Sequence, residues 1–211
     1  MRTDWDAYYH QPIATSKYSR RITARILENL IRRFCDQPLD TVVELGGGNS
    51  CFVDGIRARF RPRRYCVIDN NEVGLHLLCR RFSGDASVCS YNRDVLHLGE
   101  PMGADLVFSV GLIEHFCPPD TRRAILAHFA LLRPGGVAII TFPTPTLLYR
   151  ASRFVSESLG LWQFPDERPL DRYEVLPSIR QQGRILFEAI NWPIFFTQMI
   201  VAARYQGVGQ G

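Results

Sequence analysis

The stretch that decides the fold is Thr41-Val-Val-Glu-Leu-Gly-Gly-Gly-Asn-Ser50, a short apolar run followed by three consecutive glycines. The apolar run is typical of a buried β-strand, and the glycines predict a tight turn that a ligand can approach closely. A helical pattern follows over about 50–60, so the segment predicts a strand–turn–helix unit. Ligands of open parallel sheets bind at the carboxyl ends of strands, which makes this turn the first candidate binding site.

The alternation of strands and helices continues on both sides of this unit. An amphipathic helix is predicted over about 16–36, and further strands are predicted at 65–69, 87–91, 105–110 and 137–142, with helices between them. This order predicts a doubly wound α/β fold with a mostly parallel sheet. We interpret residues 1–211 as a single domain whose parts are an N-terminal cap and helix (1–36), a cofactor-binding core (37–143), an inserted lid (144–184) and a closing antiparallel hairpin (185–205).

Composition excludes several classes of protein. Apolar residues make up 46% and charged residues 22% of the 211, which is unlike a disordered chain. Neither an apolar run of membrane-spanning length nor a signal-peptide core is found, so we expect a cytoplasmic protein without a membrane span. The six cysteines show no zinc-binding spacing, and no metal site is predicted.

The net charge of +4 comes with an excess of arginine, since Lys17 is the one lysine among 25 basic residues. Either phosphate binding or codon bias produces such an excess. Five arginines lie between positions 57 and 64, before the second strand and therefore at the edge of the sheet opposite the glycine turn. We interpret them as a solvated face, which makes a nucleic-acid partner unlikely.

Two acidic residues follow the next two strands. Asp69 lies 69 − 48 = 21 residues after the last glycine of the turn, where an acid accepts hydrogen bonds from the ribose of a nucleoside cofactor. Asp94 follows the third strand and suits an adenine amino group. Each acid alone is more often a turn or cap residue, but the ordered set predicts a nucleoside site. Cys51 occupies the last glycine position of a dinucleotide fingerprint and the P-loop lysine is missing, so a cofactor without phosphates is favoured.

Several segments of the chain resemble, in order, the motifs of a known enzyme family. Val42-Val-Glu-Leu-Gly-Gly-Gly48, Asp69, Asp94, the segment 105–116 and the segment 132–140 resemble, in this order, the motifs of small single-domain class I S-adenosylmethionine-dependent methyltransferases. The resemblance implies a Rossmann-like methyltransferase sheet with a central first strand and an antiparallel C-terminal strand. It also implies S-adenosyl-L-methionine as cofactor and S-adenosyl-L-homocysteine as product. The residues that it assigns to the cofactor are Glu44, Gly46, Gly47, Gly48, Asp69, Asn70, Asp94, Val95 and Ser109.

Candidates for the chemistry lie after the fourth strand and in the predicted lid. His115 is the first choice for a general base, with Glu114 and His10 as alternatives, although the Glu-His pair is often structural. The residues expected to contact the acceptor or to cover the site are Tyr8, Tyr9, Trp162, Asp166 and Glu167. The predicted function is methyl transfer to a small-molecule acceptor, with an oxygen nucleophile of a biosynthetic or saccharide substrate favoured. An RNA methyltransferase and a non-catalytic S-adenosylmethionine-binding partner protein remain alternatives, and the oligomeric state stays open.

Overall fold

The computed structural model describes residues 2–10 and 16–207, which form a seven-stranded sheet with helices on both faces. The strands are β1 (Thr41–Leu45), β2 (Arg64–Asp69), β3 (Val88–Asn92), β4 (Ala104–Val110), β5 (Leu132–Pro143), β6 (Gly183–Asn191) and β7 (Gln198–Tyr205). The helices are α1 (Trp5–His10), α2 (Ser16–Phe34), α3 (Val53–Phe60), α4 (Glu72–Arg81), α5 (Pro118–Ala130), α6 (Leu147–Ser158) and α7 (Arg172–Gln182). Within the described ranges, no helix has the length and apolar character needed to cross a membrane.

The sheet has the strand order β3-β2-β1-β4-β5-β7-β6. All neighbouring pairs from β3 to β5 are parallel, whereas β7 is antiparallel to both β5 and β6. The predicted doubly wound α/β sheet, mostly parallel with an antiparallel C-terminal strand, is therefore confirmed. The chain leaves β1 toward β2 on one side and later returns to β4 on the other, which opens a crevice at the carboxyl end of β1.

Strand residues alternate between two apolar layers, as expected for a sheet that is covered on both faces. Val42 and Phe108 point into the layer made with α2, α3 and α4. Val43 and Val107 point into the layer made with α5 and α7. The crevice at the strand ends is thus built on a rigid, doubly buried sheet.

Two details differ from the sequence prediction. Strand β5 begins at Leu132, because Leu132 already pairs with Ala104 and the Pro-Gly-Gly segment forms an irregularity within that pairing. In addition, part of the predicted lid is helix α7, which packs Val175 and Ile179 into the core beside α5. Whether the rest of 144–184 acts as a lid stays a prediction. Residues 11–15 of the predicted N-terminal cap lie outside the described residues.

Candidate functional site

The turn after β1 requires glycine at three consecutive positions. Gly46 (φ 69°) and Gly48 (φ 46°) adopt left-handed backbone conformations that other residues rarely take. Gly47 has no room for a side chain, since a Cβ there would lie 2.8 Å from the Glu44 carboxyl carbon and 2.9 Å from Val67. The amide of Gly46 donates to the carbonyl of Ile68 at 2.8 Å, which ties the turn to β2. The backbone of the turn is therefore fixed before any ligand arrives.

Glu44 supports this turn from the end of β1. Its side chain is buried, and it accepts a hydrogen bond of 2.6 Å from the Tyr65 hydroxyl. Burial raises the pKa of Glu44 to about 7, against the opposing effect of hydrogen bonds with Ser50 and Tyr65. Tyr65 is a site residue that sequence reasoning missed, because nothing in its strand pattern distinguishes it from a core residue.

Asp69, at the end of β2, faces the same turn. Its carboxylate accepts hydrogen bonds from the amides of Gly48, Asn70 and Asn71 and from the Tyr9 hydroxyl, with a distance of 2.8 Å to the Asn71 nitrogen. Burial raises its pKa, and the four hydrogen bonds oppose that rise. An acid that already accepts a hydroxyl beside a glycine backbone matches the chemistry needed to hold a ribose.

Tyr9 lies in the space between the glycine turn and Asp69. A Cβ at Gly48 would lie 2.1 Å from the Tyr9 hydroxyl oxygen, and one at Gly74 would lie 2.8 Å from its ring. The ring is held by α1, whose Asp6 accepts a 2.6 Å hydrogen bond from the Asn71 side chain. The Tyr9 side chain thus lies inside the crevice beside Gly48, and its predicted role in covering a bound cofactor stays a prediction.

The other predicted cofactor residues have different surroundings. Asn70 is exposed, and Val95 is buried in the core. Asp94 caps the short turn that follows it, with its carboxylate 2.9 Å from the Leu96 nitrogen. Ser109 is fully buried and its hydroxyl lies 2.9 Å from Nε2 of His128, which is buried too.

A second cluster forms around His115, next to the cofactor crevice. His115 Nδ1 lies 3.3 Å from Asp166 Oδ1, and the Thr3 hydroxyl donates to the same carboxylate. Burial lowers the pKa of His115, although Asp166 acts in the opposite direction. The pKa of Asp166 is also lowered, because the hydrogen bond from Thr3 and the charge of His115 outweigh its burial. A neutral imidazole held by an ionised carboxylate can accept a proton through its other nitrogen.

Aromatic rings enclose this pair. The Trp5 ring lies 5.0 Å from His115 and 6.0 Å from Phe164, between ring centres. Tyr8 links this group to Tyr9 at 5.4 Å and to Phe164 at 5.6 Å. The remaining ring, Trp162, lies 5.7 Å from Phe164 and donates its indole N–H to the Phe164 carbonyl at 2.7 Å. Rings of α1 and of the 162–167 loop therefore meet at Phe164. Contact of Tyr8, Tyr9 or Trp162 with an acceptor stays a prediction.

Glu114 and Glu167 complete the cluster. One acceptor atom each from Glu114, His115 and Glu167 lie within 4.8 Å of one another. Burial and repulsion from Glu167 raise the pKa of Glu114 well above its usual value. Burial raises the pKa of Glu167 to about 7, against a hydrogen bond from the Tyr149 hydroxyl. The predicted base candidates Glu114 and His115 thus lie beside Asp166 and Glu167, which were predicted to contact the acceptor or to cover the site. His10, the remaining alternative base, is exposed at the end of α1.

Comparison with known proteins places this geometry in context. Neither a protein-family model nor a curated protein matches the chain. Solved structures do match it in fold. The N-methyltransferase NodS of Bradyrhizobium japonicum WM9, bound to S-adenosyl-L-homocysteine, has a TM-score of 0.68 at 14% identity, covering 90% of this chain and 87% of that one.

Two further solved structures extend the comparison. The complex between the Haloferax volcanii Trm112 methyltransferase activator and a putative methyltransferase gives a TM-score of 0.75 at 14% identity, with 98% and 100% of the two chains covered. Magnesium protoporphyrin IX methyltransferase of Synechocystis PCC 6803, with bound S-adenosyl-L-homocysteine, gives 0.69 at 14% identity, with 92% and 89% covered. At such low identity these likenesses show the fold, which is that of class I S-adenosylmethionine-dependent methyltransferases.

Proposed function

Since the chain has the class I methyltransferase fold, we propose that it transfers a methyl group from S-adenosyl-L-methionine to a small-molecule acceptor. The observation that carries the proposal is the pairing of the glycine turn with Asp69, which places a backbone without side chains and a hydroxyl-binding carboxylate at one crevice. When bound, S-adenosyl-L-methionine supplies a methyl group on a positively charged sulfur.

Two regions of the chain have different proposed roles, one in binding the cofactor and the other in binding the acceptor. Gly46–Gly48 offer main-chain contacts, and Asp69 binds the ribose hydroxyls in place of the Tyr9 hydroxyl. Asp94 and Asn70 lie at the ends of β3 and β2, where they serve the adenine side. The His115 cluster lies on the other side of Tyr8 and supplies groups that orient the acceptor and take its proton. Holding two reactants in line can lower a barrier by roughly 7–11 kcal/mol, without a covalent protein intermediate.

An oxygen nucleophile, favoured by the sequence, stays a prediction. A hydroxyl acceptor would need a group that takes its proton, and Glu114, His115 and Glu167 are the candidates.

The arginine cluster before β2 argues against the RNA alternative. Arg57 pairs with Asp85, Arg59 with Glu28 at 3.2 Å, and Arg63 with Asp40 at 3.4 Å. Side chains that already have carboxylate partners are less available to phosphates. Retention on RNA that falls steeply with salt would nevertheless favour this alternative.

The experiment that tests the proposal is calorimetric titration with S-adenosyl-L-homocysteine. We expect saturable one-to-one binding that Asp69→Ala weakens by about 1.5–3 kcal/mol, the usual contribution of a hydrogen bond to a charged group. Asp94→Ala is a companion variant, because Asp94 is a cap residue that is also assigned to the adenine side. Unchanged affinity in Asp69→Ala would refute the ribose assignment. Binding without methyl transfer to any acceptor of a metabolite extract would favour the non-catalytic partner protein.

A further inference from the structure

Glu114 carries a buried oxygen without a partner. Its side chain is 1% exposed, and within residues 2–10 and 16–207 its Oε2 has no hydrogen-bond partner. Leaving a buried carboxyl oxygen unpaired costs more than pairing it contributes, so this oxygen is a candidate contact for a bound ligand. A cationic ligand would pair this oxygen and would favour the ionised form of Glu114, whose pKa is raised by burial and by Glu167.

The acidic side chains next to Glu114 also favour a cationic ligand. An acceptor atom of Glu167 lies within 4.8 Å of Glu114 and His115, and Asp166 Oδ1 lies 3.3 Å from Nδ1 of the imidazole. Arg153, the cation that acts on Glu167, is already paired with Glu157 at 2.8 Å and bonded to a main-chain carbonyl. Three acids therefore surround a neutral imidazole with little cationic compensation.

The two kinds of cation need different spacings between the acceptor atoms. Acceptors that surround an ammonium nitrogen at about 2.8 Å lie ~4.6 Å apart, whereas ligands of a divalent metal at about 2.1 Å lie ~3.4 Å apart. The three acceptor atoms of the cluster lie within 4.8 Å of one another, which leaves room for an ammonium nitrogen between them. A metal is the competing ligand, and the experiment below separates the two.

The aromatic rings next to His115 also favour an alkylammonium ligand. Trp5 and Phe164 both contact His115, with ring-centre distances of 5.0 and 6.1 Å. Aromatic faces attract alkylammonium groups and can pack against the attached carbon chain.

From these observations we propose that the Glu114–His115–Glu167 cluster binds the protonated amino group of the methyl acceptor, a small amine with an apolar or aromatic body. This inference rests on the proposed methyltransferase function and replaces the oxygen nucleophile favoured by the sequence. The ammonium group gives one proton to a cluster carboxylate, which becomes a carboxylic acid. The freed nitrogen lone pair forms the new N–C bond as the C–S bond breaks, and the sulfur keeps that electron pair as a neutral thioether. The product is a methylated ammonium ion.

The test is ligand binding, independent of turnover. Benzylamine, benzyl alcohol and manganese chloride are titrated separately into the full chain saturated with S-adenosyl-L-homocysteine, and binding is followed by calorimetry and protein NMR. We expect benzylamine to bind in the millimolar range or tighter, and benzyl alcohol at least about tenfold more weakly. Glu114→Gln and Glu167→Gln should each weaken benzylamine binding by about tenfold, because a carboxylate partner is lost. Glu100→Gln, on an exposed loop outside the site, serves as matched control and should bind like the wild type.

Each other outcome overturns the inference. Equal affinity for benzylamine and benzyl alcohol, or no benzylamine binding, excludes an ammonium site. Manganese binding that both Gln variants abolish, without competition by benzylamine, assigns the cluster to a metal. Glu167 lies in a partly exposed loop, so its variant remains informative if Glu114→Gln fails to fold. If S-adenosyl-L-homocysteine does not bind, the proposed function fails, while benzylamine binding to the free chain still reports on the cluster.

Discussion

Tyr9 enters the proposed ribose position, and its substitution should tighten cofactor binding. In the structure its hydroxyl donates to Asp69 and its ring fills the gap beside Gly48. A ribose hydroxyl that uses the same carboxylate has to displace this side chain first. The observed affinity is then the intrinsic affinity reduced by the fraction of molecules in which Tyr9 has moved away.

The size of the effect follows from the contacts that are lost. A hydrogen bond to a charged acceptor contributes about 1.5–3 kcal/mol. Asp69 keeps three backbone donors after the Tyr9 hydroxyl is removed, so the lower end applies. Tyr9→Phe should therefore bind S-adenosyl-L-homocysteine about tenfold more tightly than the wild type. Tyr9→Ala, which also empties the gap, should bind at least as tightly.

Isothermal titration calorimetry with S-adenosyl-L-homocysteine measures this directly. Tyr8→Phe is the matched control, since Tyr8 lies on the same helix but its hydroxyl accepts from Arg20. Its affinity should stay within about twofold of the wild type. Weaker binding by Tyr9→Phe would refute the reasoning, because it would mean that the hydroxyl contacts the bound ligand. Equal affinity in all three proteins would show that Tyr9 leaves Asp69 at no measurable cost.

Two further predictions concern the titratable groups. Glu44→Gln removes a buried acid whose pKa is raised from 4.5 to about 7, so the native state holds a proton that the unfolded state has lost within that window. As the pH rises from 4.5 to about 7, the unfolding free energy of the wild type should therefore fall by up to about 3 kcal/mol relative to that of the variant. Urea denaturation at several pH values measures this difference. A difference that does not change with pH would contradict the assignment. Asp166→Asn removes the carboxylate that raises the pKa of His115, so NMR titration should give a lower His115 pKa than in the wild type. A higher value, or no change, would show that Asp166 does not act on the imidazole.

Much of the fold follows from local patterns in the sequence. The strand at 41–45 and the glycine turn are readable because a short apolar run and consecutive glycines impose local geometry. Helix α7 was missed within the predicted lid, because Pro177 inside it is a poor helix residue. Its formation depends on Val175 and Ile179, which tertiary packing buries against α5.

The site was predictable in part. Asp69 and His115 follow strands that end at one edge of the sheet, so topology brings them near the crevice. The bond from Thr3 to Asp166, which are 163 residues apart, and the proximity of Glu114 and Glu167 depend on how two loops and a short helix pack. Sequence periodicity carries no information about such contacts. The position of Tyr9 between Gly48 and Asp69 likewise depends on tertiary packing.

The strand order has a consequence for how the chain is made. Strand β6 pairs with β7 alone, and β7 fills the place between β5 and β6. During synthesis from the N-terminus, the sheet must therefore stop at β5 until residues 198–205 are available. Until then β5 presents an unpaired edge, the kind of surface to which other chains add strands. A nascent or truncated chain that ends before β7 should thus aggregate more readily than the complete chain. The strand that closes this gap, next to the edge strand β6, is the last one to be synthesised.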